Sequence, residues 1–182
     1  MKALIGGGGI AGLATGIALR RAGLEVEIFE RAPELREIGA GLMIWPNGAR
    51  SLKSLGVEIE ALAVRQLSIC TWRGRQVNRY PLESVAQRYG FDPCFIHRAD
   101  LQAALARRFD DQRLQFRADI SGFRENEAGV EIVFGDGSGA SGDILVGADG
   151  LRSAVRRQLL GDGDPTYLGS TIWRGIVGGD SI

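Results

Sequence analysis

Ala3-Leu4-Ile5-Gly6-Gly7-Gly8-Gly9-Ile10-Ala11-Gly12-Leu13 is the stretch on which the fold turns. Three apolar residues read as a short strand. Behind them the pattern Gly7-x-Gly9-x-x-Gly12 opens a helix in which Ile10, Leu13, Ala14, Ile17 and Ala18 recur at helical spacing. Gly23, just past Arg20 and Arg21, is a stop signal. Leu24, Val26 and Ile28 then alternate with Glu25 and Glu27, which is the period of a strand. The segment as a whole is a β-turn-α-β unit.

Each glycine of the pattern has a physical task. Gly7 permits the tight turn, Gly9 lets the backbone approach a pyrophosphate with no side chain in the way, and Gly12 lets the helix pack closely on the sheet. The N–H groups and the positive dipole end of the helix then face the phosphates. Glu30 closes the second strand, about 20 residues beyond the glycines, where a carboxylate accepts hydrogen bonds from a ribose hydroxyl. An acid at this place favours an adenosine ribose without a 2′-phosphate. Arg31 has two readings, covering the adenine or pairing with Glu30. The plainer alternative is a flexible turn followed by a solvated strand end. Strand, helix, second strand and acid in register weigh against it.

Composition narrows the function classes. The 182 residues carry 22 basic and 22 acidic side chains, so no general pull toward nucleic acid or an anionic membrane is expected. The 27 glycines are about twice average usage and cluster instead of repeating, which points to close backbone approach at a few places. Cys70 and Cys94 have no metal-site spacing and read as reduced, buried or half-buried residues of a cytoplasmic protein. No metal is expected. Nothing resembling a signal peptide precedes the first motif, and no apolar run reaches the ~20 residues that span a bilayer.

Further along, a glycine-marked loop around Gly39 to Leu42 leads to a helix from Pro46 through Leu52 and Leu55 to Gly56. Gly74 marks a hairpin between two short strands within Gln66 to Tyr80, and Cys94 to Ile96 is short and apolar. Asp100 to Arg108 is a helix with Leu101, Ala104 and Leu105 on one side. Leu114 to Val146 reads as a meander, turning at Asp136-Gly137 and ending in a buried strand, Ile144-Leu145-Val146. A basic helix from about Ser153 to Leu160 and a strand over Thr171 to Val177 complete the pattern.

Ile5 to Leu13 with Val26-Glu27-Ile28-Phe29-Glu30-Arg31 resembles the start of the FAD-dependent aromatic hydroxylases. Further segments carry the same resemblance: Glu37-Ile38-Gly39-Ala40-Gly41-Leu42, Pro46-Asn47-Gly48-Ala49, His97-Arg98-Ala99-Asp100-Leu101, and Gly147-Ala148-Asp149-Gly150-Leu151-Arg152-Ser153. Tyr167-Leu168-Gly169 and Trp173-Arg174-Gly175 are similar to the branch of salicylate-type hydroxylases and zeaxanthin-epoxidase-like proteins. The match covers the whole chain, in order.

The resemblance implies an α/β fold: a Rossmann-like FAD-binding domain of the glutathione-reductase type with a βαβ start, a β meander and the beginning of a substrate-domain sheet. Residues 1–165 would form the FAD-binding domain and 166–182 the start of the substrate domain, with 66–96 a further contributor to the substrate side. Gly7, Gly9, Ala11 and Gly12 would line the pyrophosphate and adenosine, and Glu30 with Arg31 would hold the adenosine end. Gly41 and Leu42 would pass beside the cofactor, Arg98 would reach the phosphates or ribityl chain, and Ile120 would offer backbone groups to the adenine. Asp149 belongs to a fingerprint linked in the family to FAD and to the nicotinamide donor. His97 reads as a positioned neighbour of Arg98 and Trp173 as core or pocket wall.

Two departures qualify this. Gly6 stands where the family has a strand former, and is expected to loosen the end of the first strand. The family's third motif, a Gly-Asp pair followed by small residues and His, does not occur before Ile182. The implied reaction uses NADH or NADPH to reduce FAD and inserts one oxygen atom from O2 into a small aromatic or olefinic substrate. This chain alone is expected to bind FAD weakly and to give no hydroxylated product, unless a carboxy-terminal half in trans or a homodimer completes it. The rivals are a nicotinamide-dependent dehydrogenase, for which the first fingerprint would suffice, and a non-catalytic module binding an adenosine cofactor.

Overall fold

Ala3, Leu4 and Ile5 have no accessible surface, and a strand enclosed to that degree needs a partner on each edge and a layer over each face. The computed structural model describes residues 1–35, 40–109 and 111–173. In chain order these hold β1 (Lys2–Gly6), α1 (Ile10–Arg21), β2 (Glu25–Glu30), β3 (Gly41–Ile44), α2 (Pro46–Leu55), β4 (Leu62–Ala63) and β5 (Gln66–Cys70). There follow β6 (Gln76–Pro81), α3 (Glu83–Tyr89), β7 (Cys94–His97), α4 (Arg98–Phe109) and β8 (Leu114–Phe116). The last elements are β9 (Ile120–Asn126), β10 (Gly129–Phe134), β11 (Gly139–Gly142), β12 (Ile144–Gly147) and α5 (Ala154–Leu160). The chain divides into two units, the first from residues 1–35 and 102–173, the second from 40–101, with the division inside α4 after Leu101.

In the first unit, β1 is paired on both edges. A four-stranded sheet runs β12-β1-β2-β8, with every pairing parallel. Ala3 lies opposite Ile144 on one side and Val26 on the other, and the register carries Gly6 to Gly147 and Phe29. Helix α1 covers one face through Gly12, Leu13, Gly16 and Ile17. Its buried stripe is thus rotated from the expected one: Ala18 is exposed and Ile10 and Ala14 half-buried, because the helix lies on the sheet by its glycines. A Cβ on Gly16 would come within 2.8 Å of the Phe109 ring and 2.9 Å of Ile28. Leu4, Phe29 and Ile132 form a core on which Ala118, Ile120, Phe134, Ala140 and Leu145 pack, with the Phe29 and Phe134 rings 5.1 Å apart. Burial contributes about 1.5–3 kcal/mol for each such large side chain.

The expected meander is narrower than Leu114 to Val146. Only β9, β10 and β11 form the antiparallel sheet, while β8 and β12 join the parallel one. Periodicity could not distinguish these partners, since short apolar strands read alike in either setting. The strand at Ile144 to Val146 exists but is half-buried, because β12 is a sheet edge. The turn at Asp136-Gly137 is as expected, with Gly137 at φ 86. Gly6 stays in the ladder, and the Ile120 side chain fills the space its own Cβ would take, 2.7 Å away. The loosening of β1 is therefore not observed. The helix over Ser153 to Leu160 is α5, with Ser153 as its cap.

In the second unit, β3, β7 and β4 form an antiparallel sheet ordered β3-β7-β4, and β5 with β6 forms a separate hairpin. Helix α2 begins with Pro46 and ends at Gly56, which takes φ 71, both as the sequence requires. Gly41 and Leu42 lie in strand β3, where a loop was expected; Gly41-Leu42-Met43-Ile44 pairs with His97 to Cys94. Cys94 is buried, but Cys70 is exposed, since both strands of its hairpin stand largely open. Helix α3, capped by Gly90 at φ 71, escaped the sequence reading. Gly39, Arg174 and Gly175 lie outside the described residues. So does most of the strand expected over Thr171 to Val177, of which Thr171 to Trp173 carry no regular structure. No helix among the described residues is long and apolar enough to cross a membrane.

Candidate functional site

The carboxyl ends of β1, β2 and β12 converge on the glycine loop, and the three glycines of its pattern turn out to serve different ends. Gly7 takes φ 104, and a Cβ there would lie 2.3 Å from the Ala148 carbonyl oxygen. A Cβ on Gly12 would lie 1.8 Å from the Gly7 carbonyl oxygen. Both positions are therefore dictated by the fold itself. Gly9 differs: a Cβ there would meet nothing within 4 Å, and its backbone is extended at φ −75, ψ −177. A methyl group at Gly9 would touch no other part of the protein. Only an occupant of the space in front of it requires glycine.

Helix α1 starts immediately behind. Leu13 N–H donates to the Gly9 carbonyl at 2.9 Å, while the N-cap has no side-chain hydrogen bond and no acid stands in the first turn. The N–H groups of a first helical turn have no intrahelical acceptor, so this end of α1 offers donors and a positive dipole to an anion. Ala11, on that turn, is exposed.

Glu30 is drawn inward. One carboxylate oxygen accepts from Gly8 N–H at 2.8 Å, the other from Ala32 N–H at 2.9 Å. A carboxylate has about four acceptor positions, so these two bonds occupy roughly half of them. The sequence foresaw the acid but not its grip on the loop. Arg31 is exposed, and no ion pair with Glu30 is found among the described residues. Ile120 joins the core by its side chain and packs against Gly6.

The turn after β12 meets the loop from the other side, with Ala148 N–H donating to the Gly6 carbonyl at 2.7 Å. Asp149 is engaged within its own segment. It accepts from the Ser153 hydroxyl, from Ala154 N–H at 2.7 Å and from Val155 N–H at 3.3 Å. The Ser153 hydroxyl in turn accepts from Arg156 N–H at 2.9 Å.

Gly41, Leu42 and Arg98 belong to the second unit. Arg98 is the first residue of α4, and its N–H donates to the Ala40 carbonyl at 3.3 Å. His97 precedes it and accepts from Ala99 N–H through Nδ1 at 3.3 Å, a helix-capping role that suits a positioned neighbour. Gln102 went unread: it is buried, and its amide donates to the Gly8 carbonyl at 3.0 Å. The signal was present as a glutamine on the buried stripe of α4, beside Leu101, Leu105 and Phe109. Among the described residues no cluster could hold a metal ion.

Comparison with known proteins agrees with this geometry. Residues 1–164 match the family described as the FAD binding domain. An aurachin C monooxygenase/isomerase of Stigmatella aurantiaca is 42% identical over 180 residues, which is 97% of this chain and 47% of that protein. An FAD-dependent urate hydroxylase of Klebsiella pneumoniae is 33% identical over 183 residues, 97% of this chain and 48% of that one. Among solved structures, Klebsiella pneumoniae HpxO complexed with FAD and uric acid superposes with a TM-score of 0.79 at 33% identity, covering 88% of this chain and 42% of that one. The chain spans about half the length of the curated relatives it matches.

Proposed function

The chain belongs to the FAD binding domain family, and from that premise we propose that its glycine loop seats the FAD pyrophosphate of an NAD(P)H-dependent monooxygenase acting on a small aromatic or olefinic molecule. The observation that carries the reading is the open space at Gly9, in front of an uncapped helix start. Its two companion glycines are closed in by the protein's own backbone. Glycine at the one unobstructed position of the pattern is what a bound phosphate demands and the protein's own packing does not.

In this reading Gly7 and Gly12 shape the turn, Gly9 and the N–H groups at Ala11 take the pyrophosphate, and Glu30 receives the ribose hydroxyls. Arg31 and the Ile120 backbone stand toward the adenosine, and Asp149 holds its turn beside the loop. Gly41, Leu42 and Arg98 keep the roles the family resemblance implies for them. When bound, FAD supplies the redox and oxygen chemistry, while the protein binds, orients and excludes water. The substrate class follows the relatives, which are named for the monooxygenation or hydroxylation of aurachin C and urate.

Calorimetric titration of ADP and of adenosine 2′,5′-bisphosphate into the wild type and Gly9→Ala tests the proposal. ADP is expected to bind the wild type more tightly than the 2′-phosphorylated analogue, because Glu30 repels a phosphate at that place. In Gly9→Ala the ADP affinity should fall at least tenfold, on the order of 1.4 kcal/mol, with the unfolding midpoint unchanged. Equal ADP affinity in the two proteins would remove the loop from the site.

A further inference from the structure

Gly7, Gly8 and Gly9 form a run with few conformational restraints of its own, yet two side chains take hold of the peptide groups within it. Glu30 accepts from Gly8 N–H at 2.8 Å, which fixes the plane of the Gly7–Gly8 peptide. Gln102 donates to the Gly8 carbonyl at 3.0 Å across 94 residues of sequence, and that carbonyl belongs to the next plane, Gly8–Gly9. In a planar trans peptide the carbonyl and the following N–H point in opposite directions. Holding the Gly8 carbonyl therefore sets the direction of Gly9 N–H, the donor at the open position of the loop.

We infer that Gln102 is a positioning residue that preorganises the glycine loop for its phosphate ligand; the inference rests on the cofactor reading above. Gln102 is 8% exposed, and besides Ser153 it is the sole buried polar side chain among the described residues. A buried primary amide is costly to keep unless it is hydrogen bonded. Its neighbours Leu101 and Leu105 show that an apolar side chain suits this stripe of α4. Its bond ends on a loop carbonyl and not on a ladder of helix or sheet. A side chain retained only for packing has no need of that acceptor. One retained to keep two consecutive glycine peptides from rotating does, because a loop already ordered before binding avoids the ordering cost when the ligand arrives.

The test is ADP titration into the full chain and into Gln102→Met, which keeps the length and removes the donor, with amide hydrogen exchange followed at Gly8 and Gly9. The expected result is a roughly tenfold weaker ADP affinity, faster exchange at the Gly8 amide and a nearly unchanged thermal midpoint. Gln102→Asn, which draws the amide back by one methylene, should do the same and serves if the methionine variant does not fold. ADP affinity equal to wild type in a folded variant overturns the inference. A wild type that takes up no ADP overturns the cofactor reading instead. Exchange then decides the role of Gln102 alone, with unchanged rates overturning it and faster rates upholding it as the anchor of the loop.

Discussion

β1 and β12 are parallel neighbours, and each runs through a glycine turn into a helix, yet the two helix starts are finished in opposite ways. After β12, Asp149 takes the N–H groups of Ala154 and Val155 and Ser153 takes that of Arg156, so α5 is closed by its own side chains. After β1, the cap position is Gly9, which has no side chain to offer, and no acid follows in the first turn of α1. The same topology thus produces one helix end that satisfies its donors and one that presents them. A glycine-rich turn is common to both. What separates the two turns is the cap: Gly9 offers no side chain, whereas Ser153 and Asp149 do.

The largest effect that bears on this contrast is expected at Gly12. A methyl there meets the Gly7 carbonyl oxygen, and neither backbone can withdraw without moving α1 off the sheet. Gly12→Ala should lose about 3 kcal/mol of stability, read as a shift in urea midpoint. A variant with wild-type stability would break the claim that this glycine serves packing while Gly9 serves a ligand.

Asp149 comes next. Asp149→Ala leaves the Ser153 cap in place but removes the acceptor of the Ala154 and Val155 N–H groups at the start of α5, and the expected cost is about 1–2 kcal/mol with ADP affinity kept. If ADP affinity collapsed while stability held, Asp149 would move from the self-satisfied side of the comparison to the ligand side.

The smallest effect is expected at a third glycine turn, on the surface. Asp136 accepts from Ser138 N–H at 2.9 Å and from its hydroxyl at 2.6 Å, and these hydrogen bonds hold its carboxyl below the usual aspartate range. A lowered folded-state value means the contribution is fully present above the ordinary aspartate value of roughly 3.9. It is lost as pH falls through the lowered value. The stability gap between wild type and Asp136→Asn should therefore be small at pH 7 and close as pH falls through that lowered value. A gap that persists in acid would show that the turn is held by something other than this carboxylate.

The comparison also marks where sequence reading succeeds. Ala3 to Glu30 was legible nearly whole, because strand, glycine pattern, helix and acid constrain one another within a short span. Gly23, Gly56 and Gly137 were legible for the same local reason, each being a turn that needs positive φ. Partners far along the chain were not. The joining of Ile144 to Ala3, against the meander expected for it, is fixed by which edge of β1 stands open. Gln102 looked like any polar residue on a helix, since its acceptor lies 94 residues away. Glu30 was found as an acid but its bond to Gly8 was not, because backbone contacts leave no mark on composition.

One pairing of the sheet carries a consequence for the order of events when the chain is made. Ala3 must pair with Ile144, so the first strand leaves the ribosome long before the partner on one of its edges exists. At synthesis rates of roughly 5–20 residues per second, that interval is on the order of ten seconds. Residues 40–101 of the second unit are encoded between the two strands and are made before the first unit can close. Through that interval β1 is a nascent apolar segment with an unpaired edge, the kind of surface that chaperones bind during translation. The glycine loop, which depends on β12 to buttress Gly6 and Gly7, is among the last features of the protein to take shape.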